Sequence, residues 1–260
     1  MRFLHHFPGP PLSDFVEMLW LYEGFTISHT KERLLPTGTV DLVVNLREDQ
    51  PDFRTPIVIG PHSEHSLLDT SLEASVIGVH FRPGGAAPFF GPPLDELHNL
   101  DVSLDLLWSA GAEELRERIL AAATAPAMFQ VLERALLPAA LSFTRHTAVA
   151  YALRQFDAVP HARTMAEVAM AVGFSERHFI KRFREEVGLT PKLFCRVRRF
   201  QEVVRMVHRA TDVDWTEVAL SCGYFDQAHF INDFREFSGL SPTAYLACKG
   251  DHQNHVPLLD

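Results

Sequence analysis

Arg177, Lys181 and Arg184 lie within "RHFIKRFR", separated by four and then three residues. At 100° per residue, with Arg177 as zero, Lys181 falls at about 40°, Arg184 at about 340° and Ile180 at about 300°. Phe179 and Phe183 fall at about 200° and 240°, on the opposite side. Such a helix anchors itself by its aromatic side and holds three long cations together in solvent. A helix that only packs has no use for that cluster. A helix that enters a major groove needs long donors for base edges and phosphates.

The stretch is written twice. "HFIKRFREEVGLTP" begins at His178 and "HFINDFREFSGLSP" at His229. Upstream, "TMAEVAMAVGF" from Thr164 aligns with "DWTEVALSCGY" from Asp214, and the second copy then gains one residue, where "FSERHF" is answered by "YFDQAHF". Each unit reads as two helices and a turn. Thr164 with Glu167, and Asp214 with Glu217, have the spacing of a capping box. Gly173 and Gly223 end the first helix of each unit, where a left-handed residue needs no Cβ. Ser175 and Asp226 cap the second helices, which run to Gly188 and Gly239. Two helices joined by a glycine-containing turn form a helix-turn-helix. Between the units, "TPKLFCRVRRFQEVVRMVHR" opens with a Thr190 cap and Pro191 at the first helical position. From Pro191 to His208 this helix spans about 27 Å at 1.5 Å per residue. That length suits a spacer between successive major grooves, about 34 Å apart on one side of B-DNA.

The residues expected to read bases are Arg177, Ile180 and Lys181 in the first copy, and Gln227, Ala228, Ile231 and Asn232 in the second. Arg184, Arg196, Arg199 and Arg235 are the phosphate candidates. At the centre of the second copy, Asn232 replaces Lys181 on the groove face, while Asp233 replaces Arg182 on the flank. An asparagine there can pair with the N6/N7 edge of adenine.

These residues resemble the DNA-binding domain of the AraC/XylS family of transcription regulators, over about residues 145–247. The most specific part is "GYFDQAHFINDFREFSGLSPTAYL". The resemblance implies binding to asymmetric promoter sites through two helix-turn-helix units and an effect on RNA polymerase recruitment. "LLPTGTVDLVVNL" and "VIGVHFRPGGAAPFFG" are similar to an N-terminal domain found ahead of this module in part of the family. The role it implies is like that of the cupin-like sensor of other members.

The remaining chain must supply and position that second domain. The 260 residues carry a net charge of −9, distributed unevenly: residues 1–160 hold 11 Lys+Arg and 20 Asp+Glu, whereas residues 161–249 hold 13 and 11. An acidic half joined to a half with a basic stretch points to two domains with different partners. Residues 1–95 read as short strands, with Val40, Leu42, Val44 and Leu46 alternating after a Pro/Gly turn. Residues 96–144 read as a helical linker and self-association segment, residues 145–249 as the double helix-turn-helix domain, and residues 250–260 as a tail. The expected fold class is α+β: a small antiparallel, cupin-like β domain, a helical linker and an all-α C-terminal domain.

Asp41, Asn45, His80 and Arg82 lie on or beside strands and are the ligand-pocket candidates. His5, His6, His62, His65 and His80 raise the alternative of a cupin-type metal-dependent enzyme fused to a DNA reader. No strand carries a His-x-His pair, so no metal site, cofactor or catalytic residue is assigned, and an enzyme is not expected. Cys195, Cys222 and Cys248 lack any Cys-x-x-Cys spacing and read as reduced thiols. Lacking a secretory leader or an apolar run long enough for a membrane helix, the chain is expected in the bacterial cytoplasm. Double-stranded DNA is the expected partner, joined by RNA polymerase, a small-molecule effector and a second copy of the chain.

Overall fold

The computed structural model describes residues 2–25, 29–49, 54–108, 111–158, 165–210, 212–250 and 252–258. The N-terminal part is an antiparallel β domain and the C-terminal part is helical, so the α+β expectation holds. Strands β1 (Arg2–His6), β2 (Val16–Phe25), β4 (Asp41–Asn45), β5 (Ile57–Ile59), β7 (Ala74–Phe81) and β8 (Asp101–Ser103) form a six-stranded sheet, in the order β1-β2-β7-β4-β5-β8. Strands β3 (Lys31–Leu34), β6 (Ser66–Asp69) and β9 (His255–Pro257) form a second sheet with β3 at its centre. The alternation read in the sequence sets which face of the large sheet is inward: Val40, Leu42, Val44, Ile77, Val79 and Phe81 are all buried.

Helices α1 (Leu104–Leu107), α2 (Ala112–Leu120) and α3 (Ala125–Ser142) follow the large sheet. Leu115, Ile119, Phe129, Leu132 and Leu136 pack with the sheet's inner residues in one apolar core. The stretch expected to be a helical linker thus belongs to the N-terminal core. Asp101–Ser103 departs further from that reading, pairing as β8 with β5 through Ile57↔Ser103 and Ile59↔Asp101.

The C-terminal helices are α4 (Thr147–Ala158), α5 (Met165–Ala171), α6 (Glu176–Val187), α7 (Pro191–His208), α8 (Trp215–Ser221), α9 (Gln227–Ser238) and α10 (Pro242–Cys248). They share a second core, in which Phe156, Phe179, Phe183, Phe194, Phe200, Phe230, Phe234 and Phe237 are buried. Cysteines 195 and 222 lie in it; burial pushes their thiols up to about 12 and about 11, well away from thiolate chemistry.

The last residues are more than a tail. Strand β9 runs antiparallel to β3, through Glu32↔Pro257, Arg33↔Val256 and Leu34↔His255. Beside this pairing the buried Glu32 carboxylate meets His29 Nε2 at 2.8 Å and His255 Nδ1 at 2.7 Å. Burial alone would raise the Glu32 carboxyl, but these two partners hold it below the ordinary carboxylate value. The chain therefore returns to the N-terminal domain after completing its helical region.

Candidate nucleic-acid interface

Local chemistry sets both recognition helices. Ser175 Oγ accepts the His178 amide at 3.4 Å to start α6, and Asp226 Oδ1 accepts the His229 amide at 2.7 Å to start α9. Thr190 accepts the Leu193 amide and sets Pro191 as the first residue of α7. Asp214 accepts from Thr216 and Glu217 at the start of α8, while Thr164, its counterpart, lies outside the described residues. Gly173 and Gly223, at φ +72° and +74°, make the turn inside each unit.

The aromatic anchors lie inward as the helical spacing requires: Phe179, Phe183, Phe230 and Phe234 are fully buried. Arg177, Lys181 and Arg184 are exposed along α6, and Gln227, Ala228, Asn232 and Arg235 along α9. Ile180 and Ile231 are half-buried, each packing on the core while keeping part of its surface open. The base-reading candidates therefore lie on the outward sides of two equivalent helices joined through α7. Phe225, the extra residue of the second unit, is 89 % exposed just ahead of the Asp226 cap.

The phosphate candidates divide. Arg235 is exposed on α9. Arg184 Nη2 lies 2.8 Å from Asp95 Oδ2, a carboxylate of the N-terminal domain. Arg196, on α7, is held inside its own domain by Asp233 Oδ1 at 2.7 Å and Glu236 Oε2 at 2.6 Å, and those carboxylates raise its guanidinium pKa. Its guanidinium also sits 5.0 Å from the Phe237 ring centre. Arg199 stacks over Tyr224 at 4.9 Å, and burial, with the nearby Asp233 charge, drives the Tyr224 hydroxyl pKa up. Arg196 and Arg199 thus brace α7 against the second unit. The helical wheel placed Asp233 on the flank of α9; in the fold that flank faces α7.

Among the N-terminal segments that meet the recognition helices are the short helix Leu94–Leu97 and the loop that carries Pro61 and His65, and no spacing in the sequence marked them. The short helix Leu94–Leu97 packs on α6 and brings Asp95 to Arg184. Pro61 presses on Gly188, the left-handed cap of α6, leaving no room for a side chain there. His65, from the same loop, occupies the equivalent place at Gly239, the cap of α9.

The four ligand-pocket candidates do not converge. Asp41 and His80 are cross-strand partners, Oδ1 to Nδ1 at 2.8 Å. Burial would lower the His80 pKa, but Asp41 overrides it and the ring is pushed up to about 9. Asn45 lies at the other end of β4 and accepts the Arg47 amide, while Arg82 donates to the Ser13 carbonyl. The histidines of the metal alternative are scattered as well: His6 meets Glu133, and His62 meets Asp101.

Residues 168–247 match a helix-turn-helix domain family, and residues 4–103 match a domain of unknown function, DUF6597. The C-terminal region is an AraC-type helix-turn-helix domain. An uncharacterized HTH-type transcriptional regulator of Haemophilus influenzae is 28 % identical over 115 residues, covering 44 % of this chain and 37 % of the relative. The HTH-type transcriptional regulator GadX of Escherichia coli is 32 % identical over 89 residues, covering 34 % of this chain and 31 % of the relative. The chain thus spans about a third of the length of these curated relatives. Among solved structures, a transcriptional regulator with an AraC-type DNA-binding domain from Chromobacterium violaceum is 20 % identical, covering 40 % of this chain and 95 % of its own, at a TM-score of 0.35. The AraC-type assignment rests on the sequence family and the duplicated helical register.

Proposed function

We propose that the protein is a sequence-specific DNA-binding transcription regulator that places α6 and α9 in adjacent major grooves. The observation that carries this reading is the pair of equivalent helices, each with its aromatic side buried and its polar side open, on one rigid connector. Arg177, Ile180 and Lys181 read one half-site; Gln227, Ala228, Ile231 and Asn232 read the other. Arg184 and Arg235 supply phosphate contacts, while Arg196 and Arg199 contribute by holding α7 in place. The first copy carries most of the charge and favours guanine through its long cations; the second reads an A·T-rich half-site through Asn232 and the apolar Ala228 and Ile231. The N-terminal domain acts as a regulatory module that responds to a small ligand or to pairing with a second copy, in a cytoplasmic protein that alters RNA polymerase recruitment. No helix among the described residues is long and apolar enough to cross a membrane.

Selecting binding sites from random duplex DNA with the full chain, then titrating the selected site across salt concentrations, tests the reading. Two half-sites about one helical turn apart and a steep salt dependence are expected. Equal affinity for all sequences, or none that responds to salt, refutes it.

A further inference from the structure

The first recognition helix has a partner that is not DNA. Arg177, Lys181 and Arg184 form one row along α6, and the last of them is ion-paired to Asp95 of the N-terminal domain at 2.8 Å. The contact is built rather than incidental. Asp95 sits on the short helix Leu94–Leu97, whose two leucines are buried in the N-terminal core, so its position is fixed by that core. The side chain of Asp95 is 21 % exposed, against 49 % for Arg184, so the carboxylate reaches out of one domain to meet a cation on the surface of the other. Directly beyond Arg184, α6 ends against Pro61 at Gly188, and Val187 lies beside the backbone of Gly84. Three N-terminal segments therefore hold one end of the helix whose outward side bears the cations.

The charges make this arrangement antagonistic to DNA. Residues 1–144, ahead of α4, carry 9 Lys+Arg and 19 Asp+Glu, a balance of 9 − 19 = −10. A phosphate that approaches the α6 row meets a carboxylate already on Arg184 and an acidic domain behind it. One cation is thereby withheld from the phosphate backbone, and like charge is placed where the backbone must come.

We propose that the N-terminal domain competes with DNA for the first recognition helix, with Asp95 acting as an intramolecular substitute for a phosphate on Arg184. Release of the short helix Leu94–Leu97 from α6 frees Arg184, so any event in the N-terminal domain that shifts this helix changes DNA affinity. The inference rests on the DNA-binding reading above, and its consequences are separable from it. Asp95→Asn keeps the side-chain volume and removes the charge.

In the full chain, Asp95→Asn should tighten binding to the selected site about three- to tenfold and steepen the salt dependence by about one released counterion. Arg184→Gln should abolish that gain, so that the double variant binds like Arg184→Gln alone. A gain that persists in the double variant overturns the proposal, as does an Asp95→Asn variant of unchanged melting temperature with unchanged affinity and slope. Hydrogen exchange of the wild-type chain provides a second measurement independent of any variant. Amides of residues 94–98 should exchange faster when the DNA is bound, and unchanged or slower exchange there also overturns it. If the wild-type chain shows no salt-dependent DNA affinity, the DNA reading itself fails, a result distinct from all of these.

Discussion

The two helix-turn-helix units share a scaffold but satisfy their charges in different ways. In the first unit, the arginine in the last turn of the recognition helix reaches a carboxylate from another domain, Asp95. In the second, Asp233 and Glu236 of the recognition helix turn back onto Arg196 of α7 within the same domain. The second unit is electrostatically self-contained, with Asp233 only 4 % exposed. The first pairs Lys181 and Arg182 with Glu185 on the exposed surface of its own helix and reaches the N-terminal domain through Arg184. Both copies carry the same aromatic anchors, which set the helix in the core, and they differ at the outward position Lys181/Asn232 and the sideways position Arg182/Asp233. The ion pairs differ accordingly: Arg184 of α6 meets a carboxylate of another domain, and Asp233 and Glu236 of α9 meet Arg196 of the connecting helix.

The largest effect should come from breaking the internal pair. Arg196→Met leaves Asp233 buried and without its main counter-charge, a loss of about 3–5 kcal/mol of stability measured by chemical denaturation. A loss below about 1 kcal/mol would show that the second unit does not depend on its own ion pair. A different, half-buried pair extends the comparison to pH, because Arg196 keeps its charge throughout, whereas His80, paired with Asp41 in the N-terminal domain, titrates. The His80 pKa is raised from 6.5 to about 9 in the folded chain. Its stabilisation is thus fully present below pH 6.5 and is lost as pH rises through about 9, amounting to about 2–3 kcal/mol. Asp41→Asn should flatten the melting temperature across that window, and an unchanged slope would remove this pair from the account.

Next come the reading helices themselves. Lys181→Ala should weaken DNA binding by about 1–3 kcal/mol and lower the salt slope, while Asn232→Ala should weaken discrimination at the second half-site and leave the slope alone. Equal slopes for the two variants would erase the electrostatic difference between the copies. The smallest effect is expected at the helix starts, about 1 kcal/mol for Asp226→Ala and less for Ser175→Ala, whose bond to the backbone is longer. Thermal unfolding of the two variants side by side gives that order directly, and a reversed order would contradict it.

The helical region was legible because its signals are local. A capping side chain and the amide it accepts are three residues apart, as at Ser175, Thr190 and Asp226, and Gly173 and Gly223 mark turns at their own positions. Apolar spacing then told which side of α6 and α9 would face water. The spacing could place Arg196 on the helix between the two units, but not show that Asp233, 37 residues later, would meet it. Asp95 and Arg184 are 89 positions apart, and a carboxylate in "PLDELHNL" has nothing near it to name its partner. The same holds for β8, whose three residues are too few to show alternation and whose strand character comes from its neighbour β5. Among the pocket candidates, the sequence placed Asp41 and His80 on strands; only the sheet register makes them neighbours and leaves Asn45 and Arg82 elsewhere.

The pairing of β9 with β3 also imposes an order on biosynthesis. Strand β3 emerges early, yet the strand that completes one of its edges is made only after the C-terminal helices α4 to α10. The smaller sheet stays one strand short while those helices are being translated, and closes only when residues 255–257 arrive. A ribosome that stops early would leave β3 with open backbone donors and acceptors along that edge, ready to pair with another nascent chain.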